Sequence, residues 1–388
     1  MQRHKMSPRP DWQQQAREFG FHFHTIDGDL YWDESVAWQF SLAQVENDLE
    51  DPTAELQQMC LAAVDDIVQS EEWLTKFAIP SFAFDLVKES WQRQRFSLYG
   101  RMDFSYHGHG PAKLLEYNAD TPTSLYEAGF FQWLWLEQQI ERGALPPNAD
   151  QFNSLQEKLI NQFAAFRKKF AGHGLHMCCS PDTVEDRGTV QYLQDCALQA
   201  GLTNKFLYVD DIGQSKEGLF TDNDDEVIEA CFKLYPWEFM LREPAAVDLA
   251  SANVWWLEPL WKSVLSNKAI LPYLWQKHEG HPNLLPSYFA DDKTASLSGE
   301  YVRKPIFSRE GANIDWLKDG EVVTSSTGPY GEEGSIVQQA HPLPVVDGQH
   351  MLIGAWIVGD EPAGLTIRED ASAITQDTSR FVPHFIVD

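Results

Sequence analysis

No stretch constrains this chain more than Gly100-Arg-Met-Asp-Phe-Ser-Tyr-His-Gly-His-Gly-Pro-Ala-Lys-Leu-Leu-Glu-Tyr-Asn118. Two strand-like arms flank a His-Gly-His-Gly-Pro turn, the pattern of a β-hairpin. By the two-residue strand period, Arg101, Asp103 and Ser105 share one face of the first arm, and Leu114, Glu116 and Asn118 share one face of the second. The polar faces then converge and offer two carboxylates and an amide oxygen, with no Cys or His required. Hard oxygen ligands of this kind suit Mg²⁺ or Mn²⁺ held jointly with phosphate oxygens. A solvated hairpin face fits the same spacing.

The 388 residues allow two or three ordinary domains or one large enzyme unit, and 43% hydrophobic residues are ample for a sizeable core. With 14 Trp, 23 Phe and 12 Tyr the composition is far from that of a disordered chain, and no run approaches the ~18 apolar residues of a membrane span. The N-terminal Met-Gln-Arg-His-Lys has no apolar run behind it, so no secretory signal is read and a cytoplasmic location is expected. Cys60, Cys178, Cys179, Cys196 and Cys231 lack zinc spacing and read as buried free thiols. A formal charge of −28 argues against nucleic acid and anionic membranes as partners. It favours a cationic amine or Mg²⁺, although solubility alone also accounts for it.

The spacing of apolar residues predicts helices over 34–48, 53–70 and 83–93. After the hairpin, Thr123 or Ser124 is placed to cap an aromatic-rich helix starting at Tyr126, and another helix covers 151–170. A βαβ pattern follows: strand Leu175 to Cys179, a helix opened by Ser-Pro-Asp-Thr, and strand Lys205 to Val209. The carboxylates within Trp256-Leu-Glu-Pro-Leu-Trp read as packing features. The last third is strand-rich, with runs near 300–306, 312–317, 321–325, 335–339, 350–358 and 363–368.

Within that third, Lys304 projects from a strand that leads into Ser308-Arg309-Glu310-Gly311, the layout of a phosphate clamp. A lysine supplies a point charge, and a glycine-containing loop lets backbone N–H groups approach an anion. Lys268, after Ser266-Asn267, is placed to enter the same cleft. The strand Ser335-Ile-Val-Gln-Gln is expected to offer an edge that reads an adenine ring, and Arg368 to hold a phosphate bidentately. Each of these side chains alone also fits an ordinary surface ion pair.

Together, from about Ala54 onward, these segments resemble the synthetase domain of the glutathionylspermidine synthase family. The resemblance rests on Gly100-Arg-Met-Asp-Phe, Leu115-Glu-Tyr-Asn-Ala-Asp, Tyr126-Glu-Ala-Gly, Glu258-Pro-Leu-Trp with Asn267-Lys-Ala-Ile-Leu-Pro, Val302-Arg-Lys-Pro-Ile with Arg309 and Asn313, Val337-Gln-Gln, and Leu365-Thr-Ile-Arg. It is strongest to the stand-alone bacterial members described as acid–amine ligases, and no N-terminal amidase domain is read. The implied fold is an α/β (α+β) ATP-grasp ligase with a Rossmann-like βαβ subregion. One synthetase unit is expected, with a mainly helical part over 1–98, the hairpin and helices over 99–170, the substrate region over 171–257 and the ATP-grasp region over 258–388.

What the resemblance implies for the site is detailed. Asp103, Glu116 and Asn118 would bind Mg²⁺, and Lys268 and Lys304 the phosphates of ATP. Arg309, Glu310 and Gly311 would lie in the loop covering the nucleotide, and Gln338, Gln339 and His341 on its adenine side. Arg101 and Arg368 would stabilise the transferring phosphoryl group and the tetrahedral intermediate. Thr121 and Thr123 stand where family members have serines that contact the acid, and Glu185 and Asp186 stand at an acidic pair that contacts amine and acid. The last two also fit the first turn of a helix, where the dipole favours negative charge. The implied reaction joins a carboxylic acid or peptide to a cationic amine through an acyl-phosphate, with release of ADP and phosphate. Glutathionylspermidine synthesis proper and a non-catalytic ATP- or polyamine-binding role are the rival readings.

Overall fold

A computed structural model describes all residues except 27, 94–95, 171–173, 293–296, 298 and 377–378. Its centre is an antiparallel sheet in the order Arg380–Val382, Glu361–Asp370, Gln349–Val358, Tyr99–Ser105 and Lys113–Asn118, with Val345–Val346 alongside Gln349–Val358. The hairpin is therefore real and forms one side of this sheet. Its turn needs left-handed backbone at Gly108 (φ 82°) and Gly110 (φ 71°), which glycine adopts without strain.

Alternation along Tyr99–Ser105 decides what each face of the sheet does. Met102 and Phe104 point into a core with Ile353 and Ile367, packed beneath the helix Asp51–Ile67 through Leu56, Cys60 and Val64. Burial of each large apolar side chain there contributes about 1.5–3 kcal/mol. Arg101 and Asp103 take the opposite face. The helix matches the predicted 53–70 segment, with Pro52 in its first turn, where a missing N–H costs nothing.

Beside the central sheet lies a parallel one, Trp255–Leu257, Ala230–Leu234, Leu175–Cys179 and Asn204–Tyr208, with helix Val184–Gln199 as a crossover. The expected βαβ unit is present. A second antiparallel sheet orders Ser287–Phe289, Ser335–Gln339, Glu300–Pro305, Asp315–Lys318 and Glu321–Ser325. The five cysteines are buried and unbridged. Among the described residues, no helix is long and apolar enough to cross a membrane.

Three expectations fail locally. The segment expected as helix over 34–48 begins as strand Val36–Phe40, and a helix starts only at Leu42, capped by Ser41. Helical spacing of apolar residues misled because this strand is buried on both faces, between Gln2–Lys5 and His384–Ile386. Neither Thr123 nor Ser124 caps the next helix by its side chain. Ser124 is left-handed (φ 70°) and its hydroxyl meets Tyr31. Finally, Ser335–Gln339 is paired on both sides, so it offers no free edge.

Glu369 binds the outer layers together. Its fully buried carboxylate accepts from Arg3 Nε (2.7 Å) and Nη2 (2.9 Å), from Trp38 Nε1 (2.8 Å), and from Arg380 Nη2. Glu369→Ala leaves two guanidinium groups and an indole N–H without their acceptor. A loss of about 3–5 kcal/mol in denaturant unfolding is expected; a loss below 1 kcal/mol would refute this role.

Candidate active site

The hairpin register sets Arg101 opposite Asn118 and Asp103 opposite Glu116. A bulge interrupts it between Asp103 and Phe104, so Leu115 becomes the extra residue and Leu114 faces Phe104. Leu114 thereby leaves the face on which the strict two-residue period placed it, whereas Ser105 keeps its face and meets His341 Nδ1 (3.0 Å). The bulge also frees backbone for another use: Leu115 O accepts from Lys304 Nζ (2.9 Å), and Leu114 O accepts from Gln338 Nε2 (3.2 Å).

The three oxygen-ligand candidates meet. Asn118 Nδ2 donates to Glu116 Oε1 (3.1 Å) and to Asp103 Oδ2 (3.3 Å). Arg101 forks onto Asp103 through Nε (2.7 Å) and Nη2 (3.0 Å), and its Nη1 donates to Thr123 O (2.6 Å). Burial lifts the Asp103 carboxyl above the ordinary carboxylate range, against the pull of Arg101. Burial pushes Glu116 up as well, but Lys268 and Lys304 more than reverse this and hold it at about 2. Lys268 Nζ lies 3.1 Å from Glu116 Oε2 and donates to Ser308 O (2.7 Å). Lys304 also donates to Gln338 Oε1 (2.8 Å), and burial lowers it to about 8 against the attraction of Glu116. Gln338 is thus a brace for Lys304.

These groups open onto a cleft of about 670 Å³ between the two antiparallel sheets. Asp103, Glu116 and Lys304 stand in it with Gln339 and His341. Val302, Ile314, Trp316, Leu343 and Leu352 make apolar walls, and Gly311 of the loop borders it. A flat apolar ring with a charged tail suits such a slot. Gly311 (φ 70°) also has no room for a Cβ, which would lie 2.3 Å from Thr375 O.

Beyond Arg101 is a second group. Arg309 turns from the cleft and grips Glu238 through Nε (3.0 Å) and Nη2 (2.8 Å), while its Nη1 reaches Thr121 Oγ1. Asp120, beside Thr121, is fully buried and accepts from Lys233 Nζ (2.7 Å) and Trp237 N (2.8 Å), which fixes this loop to the parallel sheet. Arg368 donates to Gln376 O (2.6 Å). Glu185 and Asp186 begin helix Val184–Gln199, whose cap is Thr183, accepting from Asp186 N (3.1 Å). Burial, and then the charge of Glu127, lift Glu185 to about 8 against Arg368, and burial lifts Asp186 to about 6.

Sequence reasoning gave no role to Glu127, Tyr31, Glu238, Gly354 or Trp356. For Glu127 a signal existed, since it is the one carboxylate in the apolar run Leu125 to Phe131. Gly354 pairs with Asp103, and a Cβ there would lie 2.6 Å from Arg101 Cδ. Trp356 lies under the guanidinium, 5.6 Å from ring centre to Cζ, with its N–H tied to Thr366 Oγ1 (2.6 Å). Only pairing across the sheet reveals either contact.

The hairpin thus presents two carboxylates and an amide to buried lysines, beside an apolar slot and a parallel βαβ layer. Residues 3–387 match the family described as glutathionylspermidine synthase preATP-grasp, and the chain belongs to the glutathionylspermidine synthase family. It is 39% identical over 390 residues to the "Putative acid–amine ligase" of Haemophilus influenzae, covering 98% of each chain. It is 31% identical to the bifunctional glutathionylspermidine synthetase/amidase of Escherichia coli, over 88% of this chain and 58% of that protein. With the trypanothione synthetase of Crithidia fasciculata it shares 30% identity over 83% of this chain and 52% of that one. The chain thus spans little more than half of these two longer relatives. By these relationships it is classed among the enzymes that form carbon–nitrogen bonds. A glutathione synthetase-like effector from Globodera pallida shares the fold, with TM-score 0.58, 10% identity and 98% coverage of both chains.

Gly354→Ala tests the floor beneath Arg101. The added methyl must push Arg101 away, so its fork on Asp103 is expected to break, with a destabilisation of about 1–3 kcal/mol. A crystal structure of the variant with the fork intact would refute this.

Proposed function

We propose that this chain couples cleavage of ATP to formation of an amide bond between a small-molecule or peptide carboxylic acid and a cationic amine. The observation that carries this reading is the meeting of Asp103, Glu116, Asn118, Lys268 and Lys304 at the mouth of one apolar cleft. A carboxylate acylates an amine at useful rates only after its oxygen becomes a leaving group, and phosphorylation makes it one. The groups needed are cations around the phosphates, a slot for the base, and a separate place for the amine.

The donor set fits Mg²⁺ once Asn118 turns its amide oxygen, in place of the nitrogen, toward the carboxylates: the three side chains are within hydrogen-bond reach of one another, and no sulfur or imidazole is among them. Asp103, Glu116 and Asn118 would hold that ion, which supplies neutralising charge to a polyphosphate. Lys268 and Lys304 neutralise phosphate oxygens, and Gln338 and the Leu115 carbonyl aim Lys304. Gln339 and His341 line the cleft and would face the base. Arg101 and Arg368 stabilise charge where the phosphoryl group reaches the acid, with Thr121 and Thr123 on the acid's side. Glu310 and Gly311 belong to the loop that covers the nucleotide. Arg309, held by Glu238 and Thr121, would have to release both in order to reach a phosphate. Glu185 and Asp186 receive the amine, to which the charge of −28 adds long-range attraction. The place of reaction would be the cytoplasm.

The direct test is phosphate release from ATP and Mg²⁺ by purified protein, against a panel of acids and amines that includes glutathione and spermidine. At least one pair is expected to stimulate release, and Glu116→Ala to abolish it with the fold intact. A silent panel, or normal turnover by the variant, would overturn the reading.

Lys304 adds a pH dependence. A phosphate contact raises an ammonium's pKa above its free value, so binding is strongest while free Lys304 is charged. Affinity for ATP is therefore expected to fall as pH rises through about 8, by up to about tenfold per unit. Calorimetric titrations between pH 7 and 9.5 that stay flat would exclude Lys304 from the phosphates.

A further inference from the structure

Glu127 is a wholly buried carboxylate that the reaction outlined above leaves unused. Its Oε1 accepts a 2.6 Å hydrogen bond from Tyr31, whose hydroxyl also lies 2.9 Å from Ser124 Oγ. Its Oε2 is buried with no hydrogen-bond partner. A buried carboxylate oxygen left in this state is costly, and a purely structural acid would be expected to have both oxygens satisfied. The helix that carries Glu185 packs on this group: Gly188, one turn on from Glu185, lies against Phe23, whose ring meets that of Tyr31 (6.2 Å), and Tyr192 of the same helix meets Tyr126, beside Glu127 (5.7 Å), so that Glu127 is the main charge acting on Glu185.

We propose that Glu127 and Glu185 form a linked carboxyl pair in which Glu185 takes the proton of the incoming ammonium and Glu127, anchored by Tyr31, sets the pH at which it does so. The inference rests on the amine-binding reading of Glu185 and gives that site its acid–base chemistry. Attack requires a neutral amine, whereas a cationic amine arrives protonated. The ionised Glu185 carboxylate takes one N–H proton, which leaves the nitrogen lone pair free. That pair forms the C–N bond as the bond from the acyl carbon to the phosphate oxygen breaks. The departing phosphate leaves with the electron pair and accepts the second nitrogen proton.

The surroundings suit such a pair. Glu185 is faced by Glu127 from the helix that follows the hairpin, by Arg368 from the central sheet, by Asp186 from its own helix and by Glu310 from the loop. Glu127 is faced by Tyr31, Arg368 and Arg101. Burial is the main reason that Glu127 is lifted to about 7 and Glu185 to about 8, and the charge of Glu127 adds to the rise of Glu185, because two like charges in one buried place are not both ionised cheaply. A base that titrates near neutrality both accepts a proton and gives it up between turnovers. Glu127 is a positioning residue here, since it acts through Glu185.

The test compares wild type with Glu127→Gln, which keeps the shape and removes the charge, and with Glu127→Asp, which keeps the charge. Carboxyl ¹³C resonances, assigned with Glu185→Gln, report the Glu185 titration in protein without substrates. The pH profile of kcat/KM for an amine active in the panel reports the same group in turnover. Without the neighbouring charge Glu185 ionises more easily, so Glu127→Gln is expected to move both the titration and the low-pH limb down by about one unit. Glu127→Asp should keep both near wild type. An unmoved Glu185 titration overturns the linkage, and a moved titration with an unmoved limb overturns Glu185 as the proton acceptor. A purely structural Glu127 would lower kcat at every pH without moving the limb. A panel with no active amine overturns the ligase reading and the acceptor role with it, while the titration still decides whether the two carboxyls are linked.

Discussion

The candidate site depends on strand register. Side chains on the central sheet alternate between a core packed under helix Asp51–Ile67 and the cleft, and in the hairpin the bulge at Leu115 fixes where the alternation restarts. A slip by one residue would send Met102 and Phe104 to the cleft and Arg101 and Asp103 into the core. Burying that arginine and carboxylate in an apolar layer would cost far more than any hairpin contact returns. The core therefore holds the chemistry in register. The buried clamp behind it does the same, because Glu258 accepts from Leu98 N and Tyr99 N while Lys262 meets both Glu258 and Tyr99 O.

Electrostatics then divides the site into two compartments. On the cleft side, the lysines keep Glu116 ionised far below neutrality. On the far side, burial lifts Glu127, Glu185 and Asp186 to within a few units of neutrality. Arg101 and Arg368 lie between the two groups, acting on Asp103 in one and on Glu127 in the other. Carboxylates of similar intrinsic acidity are thus held in different titration ranges by burial and by the charges beside them.

What could be read from the sequence follows from how local each signal was. Asp103, Glu116 and Asn118 were legible because a hairpin is short and its period is fixed. The βαβ unit was legible from its strand–helix–strand spacing. Val36–Phe40 was not, because its partners lie at opposite ends of the chain and its own residues are apolar at nearly every position. Gln338 was assigned to the adenine from its position at a strand end, yet the strand is interior and its side chain turns to Lys304. Gly354 and Trp356 carry no motif, and their bearing on Arg101 exists only across a ladder linking residues about 250 apart in sequence. Glu127 required knowledge of what surrounds it, since an acid in an apolar run reads equally as a helix surface.

The small sheet that joins Gln2–Lys5, Val36–Phe40 and His384–Ile386 bears on how the molecule is made. Val36–Phe40 leaves the ribosome hundreds of residues before its parallel partner exists, and Arg3 must likewise wait for Glu369. Contacts of such long sequence separation form late and raise the entropic barrier to folding. Until residue 386 has been synthesised, the nascent protein carries an apolar strand with one open edge. That strand is where premature association between growing chains would start, and its late closure locks the layers around the site.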